Sequence, residues 1–287
     1  MYQRLNFHCV YRGEPFCKFK KKRKRILRGL TGVLYPRRCP LCGEILSRKE
    51  KLVCEPCTPL VRLIDESFCL KCGKPLANPR QEYCRDCGKN GRYFDQGRAA
   101  FPYTGKIKKS ILNMKLHNKR RNADFFSAAM TAVLKEELEH WEIDVIAPIP
   151  LHPKKRRCRG FNQAELLAVP LGEALKIPVI PDLLKKKEET SEQKELDRKS
   201  RQKNLKKAFK IGPYDVKLSR VLLVDDIFTT GSTVDAAAAV LKEAGAEAVF
   251  FLTACIGTER EDRTELVTGE RHGKRKPDPD YDRHSGI

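Results

Sequence analysis

Apolar runs in the second half of the chain predict a buried parallel sheet. Val221–Val224 is an unbroken run of valine and leucine, as expected for a strand that is covered on both faces. Ala236–Ala244 predicts a helix that ends at Gly245, and Val249–Ala254 predicts the next strand. A further strand is predicted at Ile143–Ile149. Strands that alternate with helices indicate an α/β fold, with a mainly parallel sheet and flanking helices.

A shorter apolar pattern predicts a helix ahead of this unit. Its core-facing stripe comprises Ile107, Ile111, Leu112, Met114 and Leu116. We expect Lys115 and His117 to lie on the surface of this helix rather than to act as ligands. Trp141 is expected to pack near the entrance of a strand, and Cys255 to be a small core residue.

Charge is distributed unevenly along the 287 residues. The formal net charge is +21, and residues 1–38 contribute about half of it, because they hold 12 lysine or arginine residues and one acid, Glu14. A block of like charges is more often a solvated, disordered extension, and contact with nucleic acid is the alternative.

Two absences in the sequence bear on location. The longest apolar run, Ala248–Ile256, has about half of the roughly 20 residues that a membrane helix needs. The basic N-terminal region contains no apolar stretch of the kind found in a secretory signal. We therefore expect a cytoplasmic protein with no membrane insertion.

Eight of the twelve cysteines form Cys-x-x-Cys pairs that repeat every 15 residues. The pairs are Cys39/Cys42, Cys54/Cys57, Cys69/Cys72 and Cys84/Cys87. Two thiolates at this spacing can reach one ion, and two pairs complete the tetrahedral four-sulfur site that zinc prefers. Disulfides and iron–sulfur clusters are the alternatives that the spacing leaves open.

Equal spacing allows the pairs to share two metal ions in two ways. A sequential scheme joins neighbouring pairs, whereas a cross-braced scheme joins the first pair with the third and the second with the fourth. We favour the sequential scheme, because each 11-residue gap is long enough for a short hairpin. The expected result is a double zinc ribbon that is too small to fold without metal.

Asp225–Thr233 connects a predicted strand to a predicted helix. Unpaired amides and hydroxyl groups at a helix N-terminus form a site for anions. Asp225 and Asp226 are unsuited to holding phosphate but can accept hydrogen bonds from sugar hydroxyls. An ordinary capped helix start is the alternative. The segment lacks the lysine of a nucleotide-hydrolysing P-loop, which disfavours that function.

The string VLLVDDIFTTGST, residues 221–233, resembles the phosphoribosyl pyrophosphate (PRPP) motif of type I phosphoribosyltransferases. The resemblance implies that Asp225 and Asp226 contact the 2- and 3-hydroxyls of the ribose. It also implies that Mg²⁺ accompanies PRPP and neutralises the pyrophosphate. The residues that it assigns to the 5-phosphate are Thr229, Thr230, Gly231, Ser232 and Thr233.

A cationic loop is expected after the predicted strand at Ile143–Ile149. The strand leads into the string PIPLH, residues 148–152, and five cations follow between Lys154 and Arg159. Ligands of α/β proteins lie at the carboxyl ends of parallel strands, so pyrophosphate is one target for these charges, and a solvated charge run is the alternative. The residues that we assign to the pyrophosphate side are Leu151, His152, Lys154 and Arg159.

The order of the motifs is similar to that of the ComF family of competence-associated proteins. Four cysteine pairs are followed by PIPLH, by RGFNQAELLA at residues 159–168 and by VDDIFTTGST. The resemblance extends from about Leu34 to about Ile256. It implies two structural zinc ions ahead of a phosphoribosyltransferase fold. It further implies a role in DNA uptake during natural transformation, with single-stranded DNA and a competence helicase as partners.

Another family stretch, at residues 190–209, includes a segment that is mobile in these folds and lies near the pyrophosphate. The family usually has an arginine shortly before it, whereas this chain has Lys185, Lys186 and Lys187, followed by Glu188 and Glu189. Lysine meets phosphate as a point charge and lacks the bidentate fork of arginine.

We expect four segments: a basic extension at residues 1–38, a double zinc ribbon at 39–90, a phosphoribosyltransferase-like domain at 91–256 and a disordered polar tail at 257–287. The favoured function is PRPP binding in a protein that handles single-stranded DNA during uptake. The alternatives are an active phosphoribosyltransferase with an unknown acceptor, and a zinc-dependent scaffold with a vestigial loop. The sequence identifies no obvious general base.

Overall fold

The structure is a computed structural model that describes residues 36–47, 52–64, 67–186, 208–217 and 219–258. Three expectations fall outside these residues: the basic extension up to residue 35, most of the family stretch at 190–209, and the polar tail from residue 259.

Six strands are present in the described part of the chain. They are β1 (Gln96–Pro102), β2 (Val145–Pro148), β3 (Leu184–Lys186), β4 (Phe209–Ile211), β5 (Arg220–Phe228) and β6 (Ala248–Ile256). Four of them form a parallel sheet in the order β1-β6-β5-β2, and β3 pairs with β4 in a separate antiparallel ribbon. Val221 of β5 lies opposite Val145 and Val249. The carboxyl ends of β2, β5 and β6 therefore meet at one edge of the sheet.

Helices cover both faces of this sheet. The described residues form a 3₁₀ helix (Glu55–Leu60) and the α-helices α1 (Arg85–Lys89), α2 (Gly105–Leu116), α3 (Asn122–Trp141), α4 (Pro153–Arg159), α5 (Gln163–Leu175) and α6 (Ser232–Glu243). Helices α2, α3 and α5 share one apolar core with the sheet, and α6 shares the other. The predicted α/β fold is confirmed. None of the described helices combines the length and the apolar character that a membrane crossing requires.

Strand β5 supplies side chains to both cores. Leu222 and Val224 lie in the core that contains α3 and α5, and Val221 and Leu223 lie in the core that contains α6. All four are fully buried. Successive residues of a strand point to opposite faces, so a strand covered on both sides must be apolar at every position, as this run is.

Several predicted boundaries are wrong. Strand β5 continues to Phe228, because β6 is long enough to pair with it as far as Ile256. Asp225 and Asp226 therefore belong to the strand rather than to a loop. The predicted helix at Ala236–Ala244 begins earlier, as α6 starts at Ser232.

Two other local predictions need correction. The cationic segment that was expected as a loop forms the short helix α4, which Pro153 begins and Gly160, at φ +76°, ends. Leu116 was assigned to the core stripe of α2 but is 66% exposed, whereas Ile111 and Met114 are fully buried. Leu116 is the last residue of α2, beyond the part of the helix that the core covers.

The cysteine region packs directly on the sheet. Cys39, Cys54 and Cys57 belong to the same core as Phe101, and Cys69, Cys72 and Cys84 belong to the opposite core with Phe94 and Phe251. Two backbone hydrogen bonds join this region to the edge strand β1. The amide of Gly97 donates to the carbonyl of Lys71 (2.9 Å), and the amide of Ile64 donates to that of Ala100 (3.1 Å). Unpaired edge strands invite aggregation, and these contacts cover the edge at β1.

Arg98 strengthens this junction. It is 3% exposed, and its Nε lies 3.1 Å from Glu137 Oε1 on α3. Its guanidinium stacks 3.5 Å from the ring centre of Phe68, and its Nη2 donates to the carbonyl of Ile64. A buried arginine needs such partners to offset the loss of hydration.

Two equivalent glycines allow this contact to be tested. Gly43 and Gly73 each follow the second cysteine of a pair and have φ values of +88° and +72°. A Cβ atom on Gly73 would lie 2.9 Å from Arg98 Cα, whereas one on Gly43 would meet nothing within 4 Å. Gly43→Ala should therefore cost only the left-handed strain, about 1–2 kcal/mol.

We expect Gly73→Ala to lower the free energy of unfolding by a further 1–3 kcal/mol or so, because the β1 backbone must move. Urea unfolding of the two zinc-loaded variants measures the difference. Equal losses at the two positions would show that the ribbon does not press against β1.

Candidate functional site

The eight paired cysteines gather into two four-sulfur clusters. One contains Cys39, Cys42, Cys54 and Cys57, and the other contains Cys69, Cys72, Cys84 and Cys87; within each, all sulfur atoms lie within 4.8 Å of one another. The structure thus has the sequential arrangement and not the cross-braced one. The ten described cysteines, which include Cys158 and Cys255, form no disulfide.

The cluster geometry fits a tetrahedral zinc ion. Cys42 Sγ lies 3.5 Å from Cys54 Sγ, and Cys72 Sγ lies 3.7 Å from Cys84 Sγ. Zn–S bonds of about 2.3 Å at tetrahedral angles place sulfur atoms roughly 3.8 Å apart. Tight turns hold the ligands, since the amides of Gly43 and Gly73 donate to the carbonyls of Cys39 and Cys69 at 2.9 and 2.7 Å.

A pair of carboxylates marks the carboxyl end of β5. Asp226 is buried, and its backbone amide donates to Asp225 Oδ1 at 2.8 Å. Burial raises the pKa of Asp225 to about 8, and the neighbouring charge of Asp226 acts in the same direction. Lys115 and Lys186 lower the pKa without cancelling these effects. An acid pair that costs stability in this way is typical of a functional site.

Lys115 was predicted to lie on the surface, and that prediction is wrong. Its side chain is 22% exposed, and its Nζ lies 3.0 Å from Asp226 Oδ2. Helix α2 buries Ile107 and Ile111, and Lys115 continues this series at intervals of four residues. That spacing was the signal in the sequence for a lysine on the inner face of α2. His117 is exposed, as expected.

The loop after β5 leads directly into α6. Gly231 has φ +78° and is the N-cap of α6, and a Cβ atom there would overlap the ring of Phe228. Thr229 and Thr230 are exposed, and Thr230 Oγ1 lies 2.9 Å from Ser232 Oγ. Ser232 and Thr233 form the first turn of α6, where backbone amides lack helical partners and attract anions.

The segment after the second cysteine cluster supports this loop. Arg92 Nη2 donates to the carbonyl of Thr230 at 3.1 Å, and the amide of Tyr93 donates to Asp235 Oδ1 at 2.7 Å. Residues 92 and 93, which follow the cysteine region, therefore contact both the anion loop and the first turn of α6.

The residues assigned to the pyrophosphate side lie after β2. Leu151 and His152 are half-buried, and His152 caps α4 by accepting from the Lys154 amide at 3.3 Å. The side chains of Lys154 and Arg159 are exposed and half-buried, respectively. The amide of Ile149 donates to the carbonyl of Val224 at 2.8 Å, which ties this segment to β5 near the acid pair.

Comparison with protein families finds both parts of this architecture. Residues 30–88 match the double zinc ribbon domain, and residues 162–278 match the phosphoribosyl transferase domain. The cysteine clusters are therefore structural zinc sites, and the chain is a phosphoribosyltransferase-fold protein with a double zinc ribbon.

Similarity to complete proteins shows to which family within this class the chain belongs. The chain is 30% identical over 234 residues to competence protein ComFC of Streptococcus pneumoniae. The aligned region covers 74% of this chain and 96% of that protein. It is 29% identical over 226 residues to DNA utilization protein YhgH of Salmonella typhimurium, and this aligned region covers 77% of this chain and 97% of that protein. A solved purine phosphoribosyltransferase from Pyrococcus horikoshii Ot3 is 21% identical, with a TM-score of 0.31 over 46% of this chain and 73% of that chain. This chain belongs to the ComF family.

The clusters predict how zinc responds to substitution. The purified protein should hold two zinc ions, and Cys42→Ser should remove one of them, because the sequential clusters share no ligand. Elemental analysis measures the content. Cys158→Ser is the matched control, since Cys158 is also exposed but lies on α4 outside both clusters. Loss of both ions from Cys42→Ser, or an iron–sulfur absorption band, would contradict the assignment.

The raised pKa of Asp225 predicts a pH-dependent stability. Between the ordinary aspartate pKa and about 8, the folded state binds a proton that the unfolded state has lost, so this group lowers stability as the pH rises. Asp225→Asn has no such proton to lose. The gain in Tm of the variant over the wild type should therefore be larger at pH 9 than at pH 6.

Thermal unfolding followed by circular dichroism measures both values of Tm. Glu173→Gln removes an exposed carboxylate on α5 and should leave the pH dependence unchanged. A gain from Asp225→Asn that is the same at both pH values would show that Asp225 titrates alike in the folded and unfolded states.

Proposed function

We propose that this protein binds PRPP with Mg²⁺ at the carboxyl edge of its parallel sheet and acts in the handling of single-stranded DNA during DNA uptake. The observation that carries the proposal is the juxtaposition of two adjacent carboxylates, Asp225 and Asp226, with an anion loop that begins three residues later. Few ligands require both features, and a ribose that bears a 5-phosphate is one of them.

The two carboxylates suit the ribose hydroxyls. A carboxylate accepts hydrogen bonds from vicinal hydroxyls, and Asp226 is held in place by Lys115 at 3.0 Å. Lys115 therefore acts as a positioning residue, because it fixes the carboxylate and balances its charge before the sugar arrives. One carboxylate oxygen of Asp225 accepts a hydrogen bond from the backbone amide of Asp226.

The loop suits the 5-phosphate. Gly231 brings the backbone close without a side chain, and the hydroxyls of Thr229, Thr230, Ser232 and Thr233 are the donors that accompany the amides of α6. The N-terminal end of the helix dipole favours the negative charge of the phosphate.

The proposed pyrophosphate side combines helix α4 with the antiparallel pair of strands β3 and β4. Lys154 and Arg159 are the cations that we assign to the pyrophosphate, beside Leu151 and His152. Lys186 of β3 influences Asp225 electrostatically, so the end of β3 lies near the same edge. Mg²⁺ would neutralise the pyrophosphate, and Asp226 offers the carboxylate oxygens that this ion prefers. The charge of a nearby Mg²⁺ would lower the raised pKa of Asp225, so that Asp225 could add a second carboxylate.

The role in DNA handling rests on the relatives and on charge. One relative is named for competence and another for DNA utilization. The net charge of +21 favours association with nucleic acid, and a competence helicase is the protein partner that we propose. An active phosphoribosyltransferase would use the same PRPP site, and release of pyrophosphate in the presence of an acceptor would identify it.

The carboxylates and the loop should contribute unequally to PRPP binding. Asp226→Asn removes a charged acceptor worth about 1.5–3 kcal/mol, so the Kd should rise about 10- to 150-fold. Thr230→Ala removes a neutral hydroxyl worth about 1 kcal/mol, so the rise should be roughly fivefold. Isothermal titration with Mg²⁺ present measures both.

Glu243→Gln is the matched control for charge, since it removes one exposed carboxylate at the opposite end of α6 and should leave the Kd unchanged. If the wild type binds no PRPP in the presence of Mg²⁺, the ligand assignment is wrong. If Asp226→Asn binds as well as the wild type, the acid pair does not contact the sugar.

A further inference from the structure

A basic cleft separates the first zinc cluster from the turn between α2 and α3. Its volume is about 730 Å³, which lies within the range of functional binding sites. One wall comes from Pro36, Arg38 and the segment at residues 39–43, and the other from Lys109, Asn113 and the turn at residues 118–122. The cleft has no part in the PRPP site proposed above.

The lining of this cleft is strongly cationic. It contains Arg38, Lys109, Lys119, Arg120 and Arg121, and none of the described lining residues is an aspartate or a glutamate. The ammonium groups of Lys109 and Lys119 form no ion pair with any residue that the structure describes. These five cations outnumber the net charge of about −2 that Zn²⁺ and four thiolates carry in the cluster behind Cys39 and Cys42, so the lining is net positive and favours an anionic ligand.

The walls of the cleft are held in place without a ligand. Arg38 Nη1 donates to the carbonyl of Gly43 at 3.1 Å. On the opposite wall, Asn122 is 7% exposed, and its Nδ2 donates to the carbonyl and the hydroxyl of Ser110 on α2, each at 3.1 Å. The Lys119 amide donates to the carbonyl of Asn113 at 3.3 Å. Binding here would therefore require little ordering of the backbone.

Arg120 extends the cationic surface beyond the cleft. Its Nε donates to Asn118 Oδ1 at 2.7 Å, and its guanidinium lies 4.5 Å from the ring centre of Phe161. Phe161 and Gly160 follow α4 directly, so the turn at residues 118–122 lies between the cleft and the cationic helix α4. A chain of phosphates could follow these charges in sequence.

We propose that this cleft binds the sugar–phosphate backbone of a single-stranded nucleic acid, an inference that rests on the DNA-handling part of the proposed function. A flexible strand can enter a concavity and place successive phosphates between its walls, whereas the phosphates of a rigid duplex lie on a convex surface. The lining residues that the structure describes include no aromatic side chain to stack on bases. Binding should therefore be insensitive to sequence and strongly dependent on salt.

The decisive experiment compares two double variants of the full-length, zinc-loaded protein. Lys109→Gln with Lys119→Gln removes from the cleft two cations that pair with none of the described acids. Lys89→Gln with Lys135→Gln removes two exposed cations from α1 and α3, outside the cleft, and serves as the matched control. Fluorescence anisotropy of labelled oligothymidylate over a range of salt concentrations gives the Kd and the salt slope.

We expect the cleft variant to reduce the salt slope by about 1.4, because each lost phosphate contact contributes about 0.7. At about 0.1 M salt this corresponds to a roughly 25-fold weaker Kd. Zinc content and PRPP affinity should match those of the wild type, which shows that the fold and the PRPP site are intact. Oligodeoxyadenylate should behave like oligothymidylate.

Three results would overturn the proposal in distinguishable ways. If the cleft variant binds the strand like the control variant, the strand lies elsewhere and the proposed function stands. If a duplex binds as tightly and is weakened equally, the preference for a single strand is wrong. If the wild type binds no single strand, the DNA-handling function fails with the cleft, while PRPP titration still decides the PRPP site separately.

Discussion

The burial of β5 on both faces is the constraint on which the candidate site depends. While helices cover the strand on each side, every side chain from Val221 to Val224 must be apolar. Polar side chains begin only at the carboxyl end of this apolar run, where Asp225 and Asp226 lie and are still largely buried. The same strand orients the start of α6 and, through Ile149, the segment that leads to α4. One buried strand therefore places three parts of the site at a single edge.

The zinc clusters extend this organisation to the other edge of the sheet. Their cysteines share apolar cores with the sheet, and the backbone around them bonds to β1. Arg92 carries the connection onward to the anion loop at Thr230. The zinc ribbon thus covers an edge strand of the sheet, and the segment that follows the ribbon contacts a loop of the proposed PRPP site.

Local patterns predicted much of the fold because apolar runs and cysteine spacing are local properties. The apolar runs located β5 and β6, and the regular spacing of the cysteine pairs indicated two metal clusters. Contacts between distant segments were harder to predict. Lys115 lies more than a hundred residues from Asp226 in the sequence, and the only sign of its burial was its four-residue spacing from Ile107 and Ile111 on α2. The basic cleft is assembled from segments that are about seventy residues apart, and no single motif marks it.

A crystal structure of the protein with PRPP and Mg²⁺ tests the central claim most directly. The account predicts that the ribose hydroxyls lie within hydrogen-bonding distance of Asp225 and Asp226, and that the 5-phosphate lies against the amides at the start of α6. It also predicts that Lys115 remains paired with Asp226. PRPP bound away from the carboxyl end of β5, or a ribose that contacts neither carboxylate, would contradict the account.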